Sequence, residues 1–596
     1  MTTKKALSSK SSSKKKEVNS AKKITNKNKL ISTIIKLILI TLLISSMYLM
    51  SLSYSNSIHL LAVSEDENGK LTGGSVIELF LKIKPGSGET YVNLNTIREV
   101  DTQISILNSK KAACLIFELD CSKYDFYYDF KGSALILKGP SASSAIAILT
   151  AKTINREHIN DDIAITGSLS SGGLIGSVGG INEKIEVAEN REYKKVLVPF
   201  FSKYNSSKKL DIIPVLDIVT AYNEFGGKKY SLKNKAVRTK EFSQTMKELS
   251  ELMCLRAKEI KKLINTDSIR QNSSLDKYFK SAIDSFNSSR KTYNEENYYS
   301  TGSFCYNSNI NYRIVQKIQE NLSFNEINNS INKLNNKIVV KEKDIENIAK
   351  NTTSLNDFYV TLLLFDRTSE AKKMLEDAKK QLNSNETNTT KATIFYSKAL
   401  ERFNTVGLWQ LFIQNKKSTY SFNNRILGKA CEKITKEITI KSKLLENFNS
   451  NLLDNLVNKQ NNLLRTNSNK YLCIYQGLEL IGRLDTMLNS VNINTNKSEA
   501  YVKNILDFTQ KRIELNSNGD FPFIPYIYFE YSSDLFTTKQ YYPAMLYANF
   551  ALSYSDLNLY LEQDNFLDTS KIRKFFFELF ENFWFVLAVL LLIGFV

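Results

Sequence analysis

The sequence predicts an α+β domain followed by a large all-α domain, with an apolar helix of membrane-spanning length toward each end. Three observations carry this. Between Ile58 and about Gly227, short apolar runs alternate with helical stretches, and glycine concentrates at residues 167–180 and at Gly226-Gly227. Residues 228–571 instead form long Lys/Glu/Asn-rich segments with apolar residues at helical spacing, and proline is absent between Lys228 and Phe521. Apolar runs stand at residues 37–50 and 583–596.

With 42% hydrophobic and 24% charged residues, the 596-residue chain is neither a disordered tail nor a polytopic membrane protein. Its formal charge of +19 is unevenly placed, because the first 29 residues hold ten Lys and one Glu. The rest is too dilute to mark a nucleic-acid groove, and no nucleic-acid partner is expected.

Taken in order, residues 1–29 read as a basic cytoplasmic tail. Residues 30–53 read as a transmembrane anchor, or alternatively a signal; Lys36 is able to snorkel toward the basic flank. The apolar run exceeds the h-region of a signal peptide and no A-x-A site follows, which favours a retained anchor. Residues 57–227 form the α+β domain and 228–571 the helical one. Residues 575–596 read as a second membrane helix despite Glu578 and Glu581. Together these place the chain at the cell membrane, with its N-terminus cytoplasmic and its middle extracellular. Asn-x-Ser/Thr triplets at Asn205, Asn272, Asn287, Asn321, Asn351, Asn388 and Asn496 agree with that, although an Asn- and Ser-rich sequence produces them by chance. The six cysteines lack zinc-site spacing and permit disulfides in fifteen pairings, among which sequence does not choose.

Within the first domain, HLLAVS, SVIELFLKI, AACLIFEL, SALILKG, DIAITGSL and KVLVPFF read as strands and SASSAIAILTAKTI as a helix. In the second, aromatic-rich pieces such as ENYYSTGSFCYNSNINY and YYPAMLYANFALSY read either as helical hairpins of the tetratricopeptide sort or as an irregular bundle. Their Tyr and Phe stripes are core rather than ligand sites on either reading.

The chemistry is concentrated in the first domain. Gly139-Pro140-Ser141-Ala142-Ser143 follows one apolar run and opens a helix, so a serine stands where orphan N–H groups and the positive dipole end receive an oxyanion. Serine is also a common N-cap, the plain alternative. Asp162-Ile163-Ala164-Ile165-Thr166-Gly167 is a strand ending in a hydroxyl residue. Gly179-Gly180-Ile181-Asn182-Glu183-Lys184 brings a lysine 43 residues after Ser141. Only His59 and His158 are present, and neither sits in a motif suited to a Ser-His-Asp triad.

This set, with the following KKVLVP, resembles the proteolytic domain of Lon proteases, in particular the ATPase-lacking relatives of the membrane-associated archaeal branch. The resemblance spans about Ile58 to Gly227. It implies a serine endopeptidase in which Ser141 is the nucleophile, Lys184 the general base and Thr166 a hydroxyl partner of the lysine amine. Two positions depart from the commonest pattern: Lys138 replaces an acidic residue three places before the serine, and Ser143 replaces a glycine two places after it. No G-x-x-x-x-G-K-[ST] phosphate loop occurs in the sequence. The function expected is therefore ATP-independent, membrane-anchored cleavage of unfolded or extended protein and peptide substrates at the external face. Neither cofactor nor metal is required, and a homo-oligomer is plausible from the family's ring-forming habit. The competing readings are a surface binding or scaffold protein with a vestigial Lon-like domain, and a domain that only cleaves its own chain.

Overall fold

A computed structural model describes residues 54–65, 71–93, 100–131, 140–170, 172–232, 239–269, 273–383, 388–415, 420–446, 469–490, 498–515 and 521–561, with five isolated residues between 33 and 41. A seven-stranded mixed sheet organises the first part. Its strands are β1 (Tyr54–Glu65), β2 (Leu71–Pro85), β3 (Thr90–Val92), β4 (Tyr124–Lys131), β5 (Ile163–Ile165), β8 (Lys195–Pro199) and β9 (Asp211–Val215), in the order β3-β4-β2-β1-β5-β8-β9. Strands β1, β2 and β4 pair antiparallel, while β1, β5, β8 and β9 run parallel. A separate two-stranded ribbon, β6 (Ser168–Leu169) with β7 (Ile175–Gly176), leaves the end of β5.

Alternation along the strands sorts side chains to two faces. Leu60, Ile163, Ile165, Leu197 and Val215 pack with helices α1 (Val100–Ile116), α2 (Ser143–Ile154) and α4 (Ile218–Glu224). Leu61, Ala164, Val196 and Val198 pack on the other face with α3 (Ile181–Asn190). The strand expectations hold for β1, β2, β5 and β8. AACLIFEL instead forms the last turns of α1 and the residues just beyond it. An apolar run of that length fits a buried helix as well as a strand, and periodicity does not separate them. SALILKG, residues 133–139, lies outside the described residues.

Among the described residues, twelve helices follow. They are α5 (Lys240–Lys262), α6 (Ser273–Asn294), α7 (Tyr298–Gln319), α8 (Phe324–Asn351), α9 (Leu355–Leu382), α10 (Thr389–Trp409), α11 (Asn424–Glu446), α12 (Lys470–Ser490), α13 (Ser498–Leu515), α14 (Phe523–Thr537), α15 (Tyr541–Ser555) and the short α16 (Leu557–Tyr560). Good caps explain several starts; Ser323 and Glu326 form a reciprocal capping box before α8. The first three turns of α9 are buried all round, and one apolar cluster joins residues from Phe242 to Leu561 around them. In a solenoid each repeat touches only its neighbours, so this shared core fits the irregular bundle rather than a tetratricopeptide stack.

The two parts also share a core. Tyr501, Val502, Ile505 and Phe508 of α13, with Met545, Ala548 and Leu552 of α15, belong to the same cluster as Leu60, Ile116 and Ile218. All six cysteines pair with their sequence neighbours: Cys114–Cys121, Cys254–Cys305 and Cys431–Cys473.

The membrane expectation is corrected here. Among the described residues, no helix is long and apolar enough to cross a membrane, so placement at the cell membrane with an extracellular middle is not retained. Both segments that prompted it, 30–53 apart from five isolated residues and 575–596, lie outside the described residues.

The Cys254–Cys305 bridge closes a loop 51 residues long between α5 and α7. On the chain-entropy account such a loop stabilises by about 4 kcal/mol. Denaturant unfolding of the Cys254→Ala/Cys305→Ala variant should therefore show a loss of that order, without a change in the fold's circular dichroism.

Candidate active site

The candidate residues come from three segments: the turn before α2, the end of β5 and helix α3. Ser141 lies in a single 3-10 turn, Pro140–Ala142, that leads directly into α2. Helix α2 is buried on every side through Ser143–Thr153, and its Ala, Ile and Leu residues hold it in the core with its first turn against the sheet. The turn is bolted to the strand end. Gly167 N–H donates to the Ser141 carbonyl at 3.0 Å, while the Ser144 N–H and Oγ donate to the Gly167 carbonyl at 3.3 and 2.9 Å.

Thr166 immediately precedes that glycine. Its N–H donates to the Leu197 carbonyl at 3.0 Å, continuing the β5–β8 ladder. Two residues beyond Ala164, it falls on the same sheet face as α3. The side chain is 1% exposed, and its Oγ1 is a buried hydroxyl without a hydrogen-bond partner. Such atoms are rare in folded proteins and call for an explanation.

Lys184 reaches this face from α3. The helix starts at Gly180, whose φ of 66° lies in the left-handed region that glycine adopts without strain. Ile181, Lys184, Ile185 and Ala188 follow at i, i+3, i+4 and i+7, so the lysine occupies the apolar stripe facing the sheet. It is 2% exposed. Among the described residues its amine makes no hydrogen bond or salt bridge, and burial lowers its pKa to about 8 against a weaker upward pull from Glu183. An amine stripped of water with no counter-ion is pushed toward its neutral form.

Ser141 and Thr166 are thus tied through the Gly167 peptide, and Thr166 and Lys184 share one face of the sheet. Ser141 Oγ, Thr166 Oγ1 and Lys184 Nζ make no hydrogen bonds to one another. Lys138 and Gly139 lie outside the described residues. His158 is exposed, and the His59 ring rests edge-on to Tyr193 at 5.9 Å; neither enters the site.

Sequence reasoning missed two contributors. Ser144, inside the quoted S-A-S-S run, makes two of the three bonds to Gly167. Arg512 comes from α13, far along the chain. Fully buried, it donates through Nε to the Gly172 carbonyl at 3.1 Å and through Nη2 to Asp556 at 2.6 Å. It thereby pins the glycine-rich loop between β6 and β7 to the helical part. No local signal marks it, because its partners lie 340 and 44 residues away in the chain.

Residues 72–219 match the family described as Lon protease (S16) C-terminal proteolytic domain. Lon protease 2 of Bacillus subtilis is 26% identical over 160 residues, covering 25% of this chain and 29% of the relative. The archaeal Lon protease of Methanocaldococcus jannaschii is 31% identical over 100 residues, covering 16% and 15%. That of Thermococcus kodakarensis is 33% identical over 102 residues, covering 16% of each. The chain therefore spans less than a third of the length of these curated relatives.

Removing the Arg512 guanidinium leaves Asp556 as an uncompensated buried carboxylate. Arg512→Met should lower stability by about 3–5 kcal/mol, read by thermal or denaturant unfolding. Arg512→Lys should recover only part of it, since one ammonium does not span both acceptors as the guanidinium fork does.

Strand end, serine turn and amphipathic lysine helix all lie within the residues that are similar to the Lon protease (S16) C-terminal proteolytic domain.

Proposed function

We propose that this chain is a serine endopeptidase in which Ser141 is the nucleophile, Lys184 the general base and Thr166 the hydroxyl that orients the amine. The observation that carries the reading is the buried, unpartnered Lys184 amine, with its pKa lowered to about 8, on the sheet face that also holds the unpartnered Thr166 hydroxyl. A structural lysine would be paired; Lys152, also fully buried, reaches Glu157 at 2.7 Å.

The reaction needs no group beyond these residues and water. Neutral Lys184 accepts the Ser141 proton as Oγ bonds to the scissile carbonyl carbon. The carbonyl π pair moves to oxygen, whose charge is met at the positive end of α2. Collapse expels the amine, which takes the proton from the lysine ammonium and leaves an ester on Ser141. Water then attacks the ester, Lys184 again holds the proton in transit, and Ser141 is released with a carboxylate product.

Two finer features belong to this proposal. The sequence carries no phosphate loop, so cleavage by this chain proceeds without ATP. Without an unfolding motor, the substrates are flexible or extended segments of protein.

Cleavage of an unfolded protein substrate without nucleotide should be lost in Ser141→Ala and in Lys184→Met; activity kept by either variant overturns the dyad. Because the base works when neutral, kcat/KM should rise with pH through about 8 and level off above it. A neutral side chain also removes the penalty of protonating a buried amine. Lys184→Met should therefore be more stable than the parent at pH 7, a gain that vanishes well above pH 10.

A further inference from the structure

A cavity of about 50 Å3 open to water centres lies beside the serine turn, with walls from both parts of the chain. That is room for roughly four waters. Ser143 and Ser168 form the sheet-domain side, and the β6 strand carrying Ser168 packs directly against the turn that holds Ser141. The opposite wall comes from α11 and α12 through Glu437, Lys441, Asp485 and Asn489.

The charges in this wall satisfy one another. Lys441 bridges Asp485 and Glu437, the latter at 3.1 Å, and Tyr560 donates to Glu437 at 2.7 Å. Two neutral groups are different. Ser109 Oγ, from α1, is buried with no partner, and it lines the cavity. Asn489 is 7% exposed and, among the described residues, its carboxamide makes no hydrogen bond. Gly176 permits the close approach of this amide: a Cβ there would stand 3.2 Å from Asn489 Oδ1 and 2.7 Å from Ser168 Oγ.

We propose that this cavity is the substrate subsite flanking the scissile bond, and that Ser109 and Asn489 select an uncharged polar side chain of the Asn, Gln, Ser or Thr class. The inference rests on the peptidase reading above and adds to it the residue type at the cut. An amide or hydroxyl supplies both donors and acceptors to the two unpartnered groups. An apolar side chain leaves them desolvated and unpaired, the situation that gives polar sites their discrimination. An anionic side chain finds no free counter-ion, because Lys441 is already shared by Asp485 and Glu437, and a cationic one must compete with that lysine for both carboxylates.

The test uses the full chain and a set of unstructured peptides that differ at one position flanking the cut, with Asn or Thr set against Leu and Lys. The wild type should favour the uncharged polar residue by roughly tenfold in kcat/KM, the value of one hydrogen bond of about 1.4 kcal/mol. Asn489→Leu should abolish or invert that ratio, and Ser109→Ala, which removes a single atom, should reduce it severalfold. Thermal melting shows whether each variant is folded, and Ser109→Ala decides the matter where Asn489→Leu does not fold. A ratio near one in the wild type, or one unmoved in these variants, overturns the subsite and means that the cavity holds water only. In either case Ser141-dependent cleavage remains as the separate measure of the dyad. Absence of any Ser141-dependent cleavage overturns both.

Discussion

The geometry at the end of β5 turns on the backbone of one residue, Gly167. Its N–H and carbonyl are both taken by the segment 141–144, at 3.0 Å and at 2.9 and 3.3 Å. These bonds fix where the first turn of α2 meets the end of β5, and hence where the Ser141 side chain starts. The strand end is held in turn by the Thr166 N–H on β8. On the opposite face, α3 lies against Leu61, Ala164 and Val198, and carries Lys184 inward as one more member of an apolar stripe. A buried amine is costly, and the rest of the stripe supplies the burial that offsets it.

Much of this was legible in the sequence. The spacing of Ile181, Lys184, Ile185 and Ala188 places the lysine on the buried side of a short helix, and the paired glycines before it mark the helix start. The helix opening just after Ser141 and the strand ending at Thr166 were equally readable, because each rests on contacts within a few residues. The resemblance to Lon proteases rested on those same segments. α1 was misread for a local reason: AACLIFEL is too short for its period to separate helix from strand, and its final turns are tied by Cys114–Cys121. Terminal apolar runs gave the membrane reading through length and hydropathy alone, with no test of what they pack against.

What sequence did not contain is the helical part's share of the site. Arg512 bonds the Gly172 carbonyl across 340 positions, and Asn489 faces Gly176 from a helix more than 300 residues later. Neither residue belongs to a local pattern. Which Arg or Asn of a helical bundle meets a particular loop is decided by packing, and packing is set by the summed burial of dozens of side chains. The cysteine pairings were hidden for the same reason, since six thiols do not reveal their neighbours before the chain is folded.

The shared core bears on how the two parts function together. Leu552 lies against Gly172, where an added Cβ would approach to 3.0 Å. Phe201 and Tyr501 touch with ring centroids 3.8 Å apart. Ile116 and Ile218 lie in the same apolar cluster as α13 and α15. A sheet domain cut away at residue 227 would expose that surface to water, at about 25 cal/mol for each Å2 uncovered. The helical part is therefore not a detachable accessory beside a self-sufficient hydrolase. It completes the hydrophobic core beneath α1 and α4, clamps the glycine-rich loop through Arg512, and walls the cavity next to Ser141. Movement of α12 or α13 relative to the sheet would disturb loop, cavity and core at once, which makes a rigid union of the two parts a condition for a well-formed site.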